Sequence, residues 1–171
     1  MINIDNRLQK IADMICGEIV ADIGSDHAYL PIWLCFNKKI KKAYAIDISE
    51  NCVAKIKKNI KKHNIPEGMI IPTVSDGLSC FGQKFDFHEL SDVVIAGMGG
   101  ETIAKIIENA KIEHDISGIN FVLSPNSKIE FLKKFLHANN FYINACAVIE
   151  SKKRFYTVIN AKIREENDDR L

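Results

Sequence analysis

The chain of 171 residues is 47% apolar and 26% charged with a net charge of +1, a balance that fits one globular domain and excludes collagen-like, low-complexity and disordered classes. No apolar run approaches the ~18–20 residues of a membrane span, and Asp5, Asn6 and Gln9 stand where a signal peptide would carry its apolar stretch, so a cytoplasmic protein is expected. The near-neutral total hides an asymmetry: residues 165–171 hold four acids and one base, which leaves 22 bases against 18 acids in residues 1–164.

Leu8, Ile11, Ala12 and Ile15 recur at i, i+3, i+4 and i+7 within residues 4–15, the stripe of an amphipathic helix. Short β-rich runs then alternate with helical patterns. Strands are predicted at Ile19–Ile23, Ala43–Ile48, Met69–Val74, Asp92–Ala96 and Asn120–Leu123. Helices are predicted at Ser49–Lys62, Glu101–Ala110 and Lys128–His137, with Ser49 and Ser127 as N-caps. Strands that are almost wholly apolar and each followed by a helix imply a parallel sheet covered on both faces. The pattern then changes. Phe141–Ile149 and Phe155–Ile163 are two strands separated only by Glu150–Arg154, too short a link for anything but an antiparallel hairpin. The expected fold is therefore α/β: a Rossmann-like, mostly parallel seven-stranded sheet with a C-terminal antiparallel hairpin and helices on both faces, the element order of a Class I methyltransferase. Pro72 places the third strand at a sheet edge. One domain is expected over residues 1–164, including an N-terminal helix within residues 1–17, followed by an acidic tail at 165–171.

In such sheets ligands bind beyond the carboxyl ends of the strands near the switch point. After the first strand comes Asp22-Ile23-Gly24-Ser25-Asp26-His27-Ala28-Tyr29-Leu30-Pro31. A full G-x-G-x-x-G would need glycine at Asp26, and no Gly-Lys-Ser/Thr is present, so phosphate binding is disfavoured. Gly24 allows close backbone approach, and Asp22 and Asp26 suit a cationic ligand such as the sulfonium and ammonium of S-adenosylmethionine. Asp47 ends the second strand 23 residues after Gly24, a position from which a carboxylate can accept both hydroxyls of an adenosine ribose. Asp76-Gly77 follows the third strand, where an acid can accept the adenine amino group. Ala96-Gly97-Met98-Gly99-Gly100 follows the fourth, and its glycines imply either close approach of another group or turns at positive φ. Ser124-Pro125-Asn126 makes a polar corner after the fifth strand.

The Asp22–Pro31 run, with Ile95–Gly100 and the Pro125-Asn126 corner, closely resembles the bacterial tRNA adenine-22 N1-methyltransferase family. The resemblance spans Arg7-Leu8 to the last hairpin. It implies a Class I enzyme that transfers a methyl group from S-adenosylmethionine to N1 of an adenine in tRNA. By this resemblance Asp22, Gly24, Ser25, Asp26 and His27 surround the donor, with Asp47-Ile48 at the ribose and Asp76-Gly77 at the adenine. Gly97-Met98 faces the transferred methyl, and His27 and Asn126 join it in the catalytic set. Arg7, Tyr29 and Tyr142 are the substrate-side candidates. Members of the family usually carry a helical, coiled-coil-like extension after the hairpin that this sequence lacks, a departure expected to affect tRNA affinity more than donor binding. Two other readings stay open: a donor-binding domain that acts through a partner or extension, and a small-molecule methyltransferase.

Adenine N1 has an in-plane lone pair, so it can attack a sulfonium methyl without a general base. Many adenine-N6 enzymes carry Asn/Asp-Pro-Pro-Tyr after the fourth strand, a motif absent here, so N1 is preferred. The expected partner is tRNA, with neither membrane nor metal, and the chain is expected to be a monomer or weak dimer. Cys16, Cys35, Cys52, Cys80 and Cys146 are widely spaced without any C-x-x-C pair, which predicts small core thiols rather than disulfides or zinc. Three lysine-rich stretches, at residues 38–42, 55–62 and 152–154, suit either phosphate contact or a solvated face.

Overall fold

The computed structural model describes residues 2–164. The elements run α1 (Asn6–Met14), β1 (Ile19–Ile23), α2 (Tyr29–Phe36), β2 (Lys42–Asp47), α3 (Glu50–Lys62), β3 (Ile70–Val74), β4 (Asp92–Ala96), α4 (Gly100–Glu113), β5 (Asn120–Ser124), α5 (Ile129–Ala138), β6 (Phe141–Ser151) and β7 (Arg154–Ile163). They form one seven-stranded sheet of order β3-β2-β1-β4-β5-β7-β6. The first five strands are mutually parallel, and β7 pairs antiparallel with both β5 and β6. Pro72 lies on β3, which is the sheet edge as expected. The acidic tail expected at 165–171 lies outside the described residues.

The apolar strands are buried on both sides because helices cover both faces. Ala21, Ile23, Val93, Ile95, Phe121 and Leu123 point into one core with Ile103 and Ile107 of α4 and Leu132 and Leu136 of α5. Val20, Ala43, Ala45, Val94 and Val122 point into the other with Ile11 of α1, Leu34 of α2 and Val53 and Ile56 of α3. The carboxyl ends of β1 and β4, neighbours on either side of the switch point, are thereby held rigidly from above and below.

A chain of buried polar groups fastens α1 to this frame. The Asp92 carboxylate, fully buried, accepts the backbone N–H groups of Cys16 (3.0 Å) and Gly17 (2.8 Å) and the Asn120 amide (2.6 Å). Asn120 also donates to the Met14 carbonyl (3.0 Å), and Asn160 donates to the Asn120 side-chain oxygen (2.6 Å). Buried polar atoms persist when they are supplied with hydrogen-bond partners in this way.

Four expectations require correction. A helix is expected after every parallel strand, yet among the described residues only a 3-10 turn, Phe87–Glu89, lies between β3 and β4; α2 follows β1 but has no expected range of its own, because Tyr29–Phe36 is apolar all round and shows no helical stripe. Ser127 does not cap α5: Lys128, at φ 58°, takes the cap position without a side-chain bond, while the Ser127 carbonyl accepts the Gly100 N–H. The hairpin link is two residues rather than five, since Lys152 and Lys153 both adopt positive φ, 52° and 62°, the pattern of a type I′ turn. Among the cysteines, Cys35 and Cys80 are core residues, but Cys16 and Cys146 are exposed and Cys52 is partly so.

Candidate active site

The loop after β1 folds back over β2 because the N–H groups of both Gly24 and Ser25 donate to the Ile46 carbonyl, at 2.8 and 2.9 Å. Gly24 needs its φ of +73°, and the Met98 side chain lies where a Cβ would stand. Asp26 adopts φ 46°, a left-handed conformation that aspartate tolerates, so the turn forms without the glycine of a dinucleotide motif. Burial works to raise the Asp26 carboxyl, but Cys52, Lys55 and His27 outweigh it and hold the group below its usual range. Lys55 Nζ lies 3.3 Å and His27 Nε2 3.4 Å from it. The Asp47 carboxylate at the end of β2 is fixed by two backbone donors, the N–H of Asp26 (3.2 Å) and of Ser49 (3.0 Å). Ser49 in turn caps α3 by accepting the Cys52 N–H.

Two clefts open beyond the strand ends and share Gly24 as a common wall. The larger, of about 530 Å³, brings together Gly24, Asp47, Ile48, Asp76, Gly77 and Met98 from the expected set. It also takes Thr102, Lys105, Ile106 and Asn109 from α4, none of them expected; only the start of that helix beside the Gly97–Gly100 turn hinted at this. The smaller, of about 320 Å³, gathers Arg7, Asp22, Ser25, Asp26, His27, Tyr29 and Gly97. Within it the rings of His27 and Tyr29 stack with centroids 5.2 Å apart and planes 8° from parallel.

Tyr142 is the one substrate-side candidate that the fold places elsewhere. It sits at the start of β6 opposite Lys162, and β6 starts at the amino ends of the parallel strands, so Tyr142 lies across the sheet from the clefts. Tyr156, near the start of the antiparallel β7, occupies the right end instead, and the Arg7 guanidinium lies over its ring, 5.0 Å from the centroid. The order of pairing, β5 with β7 and β7 with β6, is the signal that would have found it.

The loop after β4 is fixed from β5. Gly97 N–H donates to the Ser124 carbonyl (3.0 Å), and Asn126 N–H donates to the Met98 carbonyl (2.8 Å). The Asn126 side-chain amide donates to the Gly97 carbonyl (2.6 Å). Asn126 thus lines neither cleft in the described structure and instead sets the position of Gly97-Met98. Gly97 requires positive φ, +81°, whereas Gly100 is small because the Lys128 carbonyl packs against it. Both explanations offered by the glycine-rich run therefore apply, at different residues.

Asp22, 7% exposed, has its carboxyl pushed up to about 6 by burial, an effect moderated by the Ser25 hydroxyl and by Arg7. Ser25 Oγ donates to it at 2.6 Å. Because the folded value lies above the ordinary 3.8, the native state binds the extra proton and the carboxylate costs stability above about pH 6. That cost fades as pH falls toward 4. Asp22→Asn should raise the melting temperature at pH 7–8, by up to roughly 3 kcal/mol of unfolding free energy. In thermal melts the gain should vanish below about pH 4, and an equal gain at both ends would show that burial is not its cause.

The parallel half-sheet, the antiparallel hairpin and the carboxylates at three successive strand ends define a Rossmann-like Class I methyltransferase domain. The methyltransferase domain family matches residues 4–159. The tRNA (adenine(22)-N(1))-methyltransferase of Bacillus subtilis is 29% identical over 163 residues, covering 94% of this chain and 66% of the relative. The Streptococcus pneumoniae protein Sp1610, described as a putative tRNA (m1A22) methyltransferase and solved with S-adenosyl-L-methionine, is 32% identical with a TM-score of 0.85, covering 96% of this chain and 74% of that one. Mycoplasma capricolum TrmK, solved with S-adenosyl-homocysteine, is 30% identical with a TM-score of 0.82, covering 95% and 70%. The chain belongs to the methyltransferase domain family and, within it, to the group of the tRNA (adenine(22)-N(1))-methyltransferases. It spans about two thirds of the length of the B. subtilis relative.

Proposed function

We propose that the chain transfers a methyl group from S-adenosylmethionine to N1 of adenine 22 in tRNA. The observation that carries this reading is the meeting of the two clefts at Gly24 and Gly97-Met98, with the carboxylates at the end of β2 and just beyond β3 in the larger cleft and that of β1 across the shared wall in the smaller. The residues present fit the donor. Asp47 faces the larger cleft with a fixed carboxylate for the ribose hydroxyls, Asp76 lies beyond it for the adenine amine, and the Asp22 carboxylate suits the ammonium. When bound, the donor supplies an electrophilic sulfonium methyl.

On the acceptor side, the stacked His27–Tyr29 pair offers an aromatic surface for an extruded base, and Arg7 borders the same cleft. Extruding a paired or stacked adenine costs a few kcal/mol, and stacking on an aromatic side chain offsets it. The bond from N1 to carbon forms as the sulfur–carbon bond breaks, and the electron pair stays on sulfur. No proton has to leave N1, so the protein's task is alignment, which can lower a barrier by ~7–11 kcal/mol when geometry is good. Gly97-Met98, held by Asn126, is the surface that sets the alignment. Protonation of Asp22 below about pH 6 should weaken donor binding, because the acid then no longer faces the ammonium as a charge. A cytoplasmic setting is supported by the reaction itself, and among the described residues no helix is long and apolar enough to cross a membrane.

The test is incubation with labelled donor and unmodified tRNA followed by nucleoside analysis. The label is expected in 1-methyladenosine at position 22. Label in any other nucleoside, or no heat on titrating the donor, overturns this reading.

A further inference from the structure

The fold separates the three lysine-rich stretches. Residues 38–42 lie at the amino ends of the strands, away from the clefts, and their charges are largely matched: Lys39 Nζ is 3.9 Å from Asp13, Lys41 is paired with Glu18, and Lys42 lies 3.0 Å from Glu89. The lysines of α3 line a helix flank, with Lys55 paired to Asp26. Lys152, Lys153 and Arg154 form the tip of the β6–β7 hairpin, and because β7 runs antiparallel to β5 this tip stands at the same end of the sheet as the clefts.

Three consecutive residues of the α1 entry tie the tip to the acceptor cleft. The Asp5 carboxylate is 3.3 Å from Lys152 Nζ, the Asn6 amide donates to the Glu150 carbonyl at 3.1 Å, and Arg7 lies over the Tyr156 ring. Lys153 and Arg154 are exposed, and among the described residues neither has a carboxylate partner. Phe155 follows them with 76% of its surface exposed, although burying such a ring is worth about 1.5–3 kcal/mol. Neighbouring strand residues point to opposite faces, so Arg154 shares the α1 face with Tyr156 while Phe155 projects from the other. A duplex laid against one face meets only one of these groups; an unpaired strand passing over the tip meets both. Cations with an exposed aromatic ring beside them are the means by which single-stranded RNA is held, through phosphate pairing and base stacking.

We propose that the β6–β7 tip grips the RNA strand that leads into the acceptor cleft, Lys153 and Arg154 neutralising phosphates and Phe155 stacking on an unpaired base near the target adenosine. This rests on the tRNA reading above. The test uses the whole chain and its Lys153→Ala/Arg154→Ala and Phe155→Ala variants, with tRNA affinity measured over a salt series. Donor affinity is followed by calorimetry and mass by sedimentation. Donor affinity should be unchanged throughout. The double variant should flatten the plot of log affinity against log salt by about 1.4–1.8, at about 0.7–0.9 per phosphate contact. Phe155→Ala should weaken binding by about 5- to 150-fold, the equivalent of one stacked base, with no change in slope. Wild-type affinity and slope in both variants overturn the proposal, as does a Phe155→Ala variant whose only change is a smaller assembly, since the ring would then be a contact between copies. If the unaltered chain binds donor but neither binds nor methylates tRNA, the tRNA reading falls first and the tip proposal with it.

Discussion

Replacing Asp47 with alanine should reduce affinity for S-adenosylmethionine by at least roughly a hundredfold, because two hydrogen bonds to a charged acceptor are worth about 1.5–3 kcal/mol each. The carboxylate is prepared for this role before any ligand arrives. Its two oxygens are held by the N–H groups of Asp26 and Ser49, so it cannot rotate away from the larger cleft. The same bonds connect the turn after β1 to the start of α3, and their loss loosens the wall shared by the two clefts. Asp47→Asn keeps one oxygen as an acceptor and should recover part of the affinity. Calorimetric titration reads both variants, and an alanine variant with unchanged affinity would refute the ribose assignment.

The second large effect is expected at Gly100, the first residue of α4. A Cβ there would press into the Lys128 carbonyl, a backbone atom that cannot swing aside as a flexible side-chain tip can. Gly100→Ala must push α4 away from the β5–α5 loop, at a cost of about 1–3 kcal/mol by the usual scale of overpacking. In a domain of this size that lowers the melting temperature by roughly 2–4 °C per kcal/mol. The displacement also breaks the Gly100 N–H bond to Ser127 and shifts Thr102 and Ile106, which line the larger cleft. Weakened donor binding should accompany the lower melting temperature. An alanine variant with wild-type melting and donor affinity would show that the loop yields freely.

Much of the fold is legible in the sequence because buried parallel strands declare themselves as short apolar runs between helical stripes. The ends of β1 through β5 fall within a residue or two of their expected positions. That the acids at the ends of β1 and β2 and just beyond β3 line the clefts was equally legible, since topology alone opens such clefts beyond the strand ends. Helix α2 was not, because periodicity cannot reveal a helix whose whole circumference is apolar. Tyr142 was misplaced for another reason: an aromatic in a hairpin strand is oriented by which strand pairs with the sheet, and that pairing puts Tyr156 beside Arg7. Asn126 shows a third limit. A polar residue after a strand reads as a ligand contact, but its side-chain amide donates to the Gly97 carbonyl, and only three-dimensional proximity reveals that.

The buried chain from Asp92 through Asn120 to Asn160 also governs the order in which the molecule can be completed. Asn120 is 106 residues from Met14, whose carbonyl it holds, and Arg7 rests on Tyr156 near the far end of the sequence. Contacts so distant along the chain must wait for the intervening loops to close. The larger cleft, lined by the ends of β1 and β2, the loops after β3 and β4, and α4, can assemble earlier. In the smaller cleft Arg7 takes its place over Tyr156 only when β7 has paired, so a folding chain completes the larger cleft before the smaller.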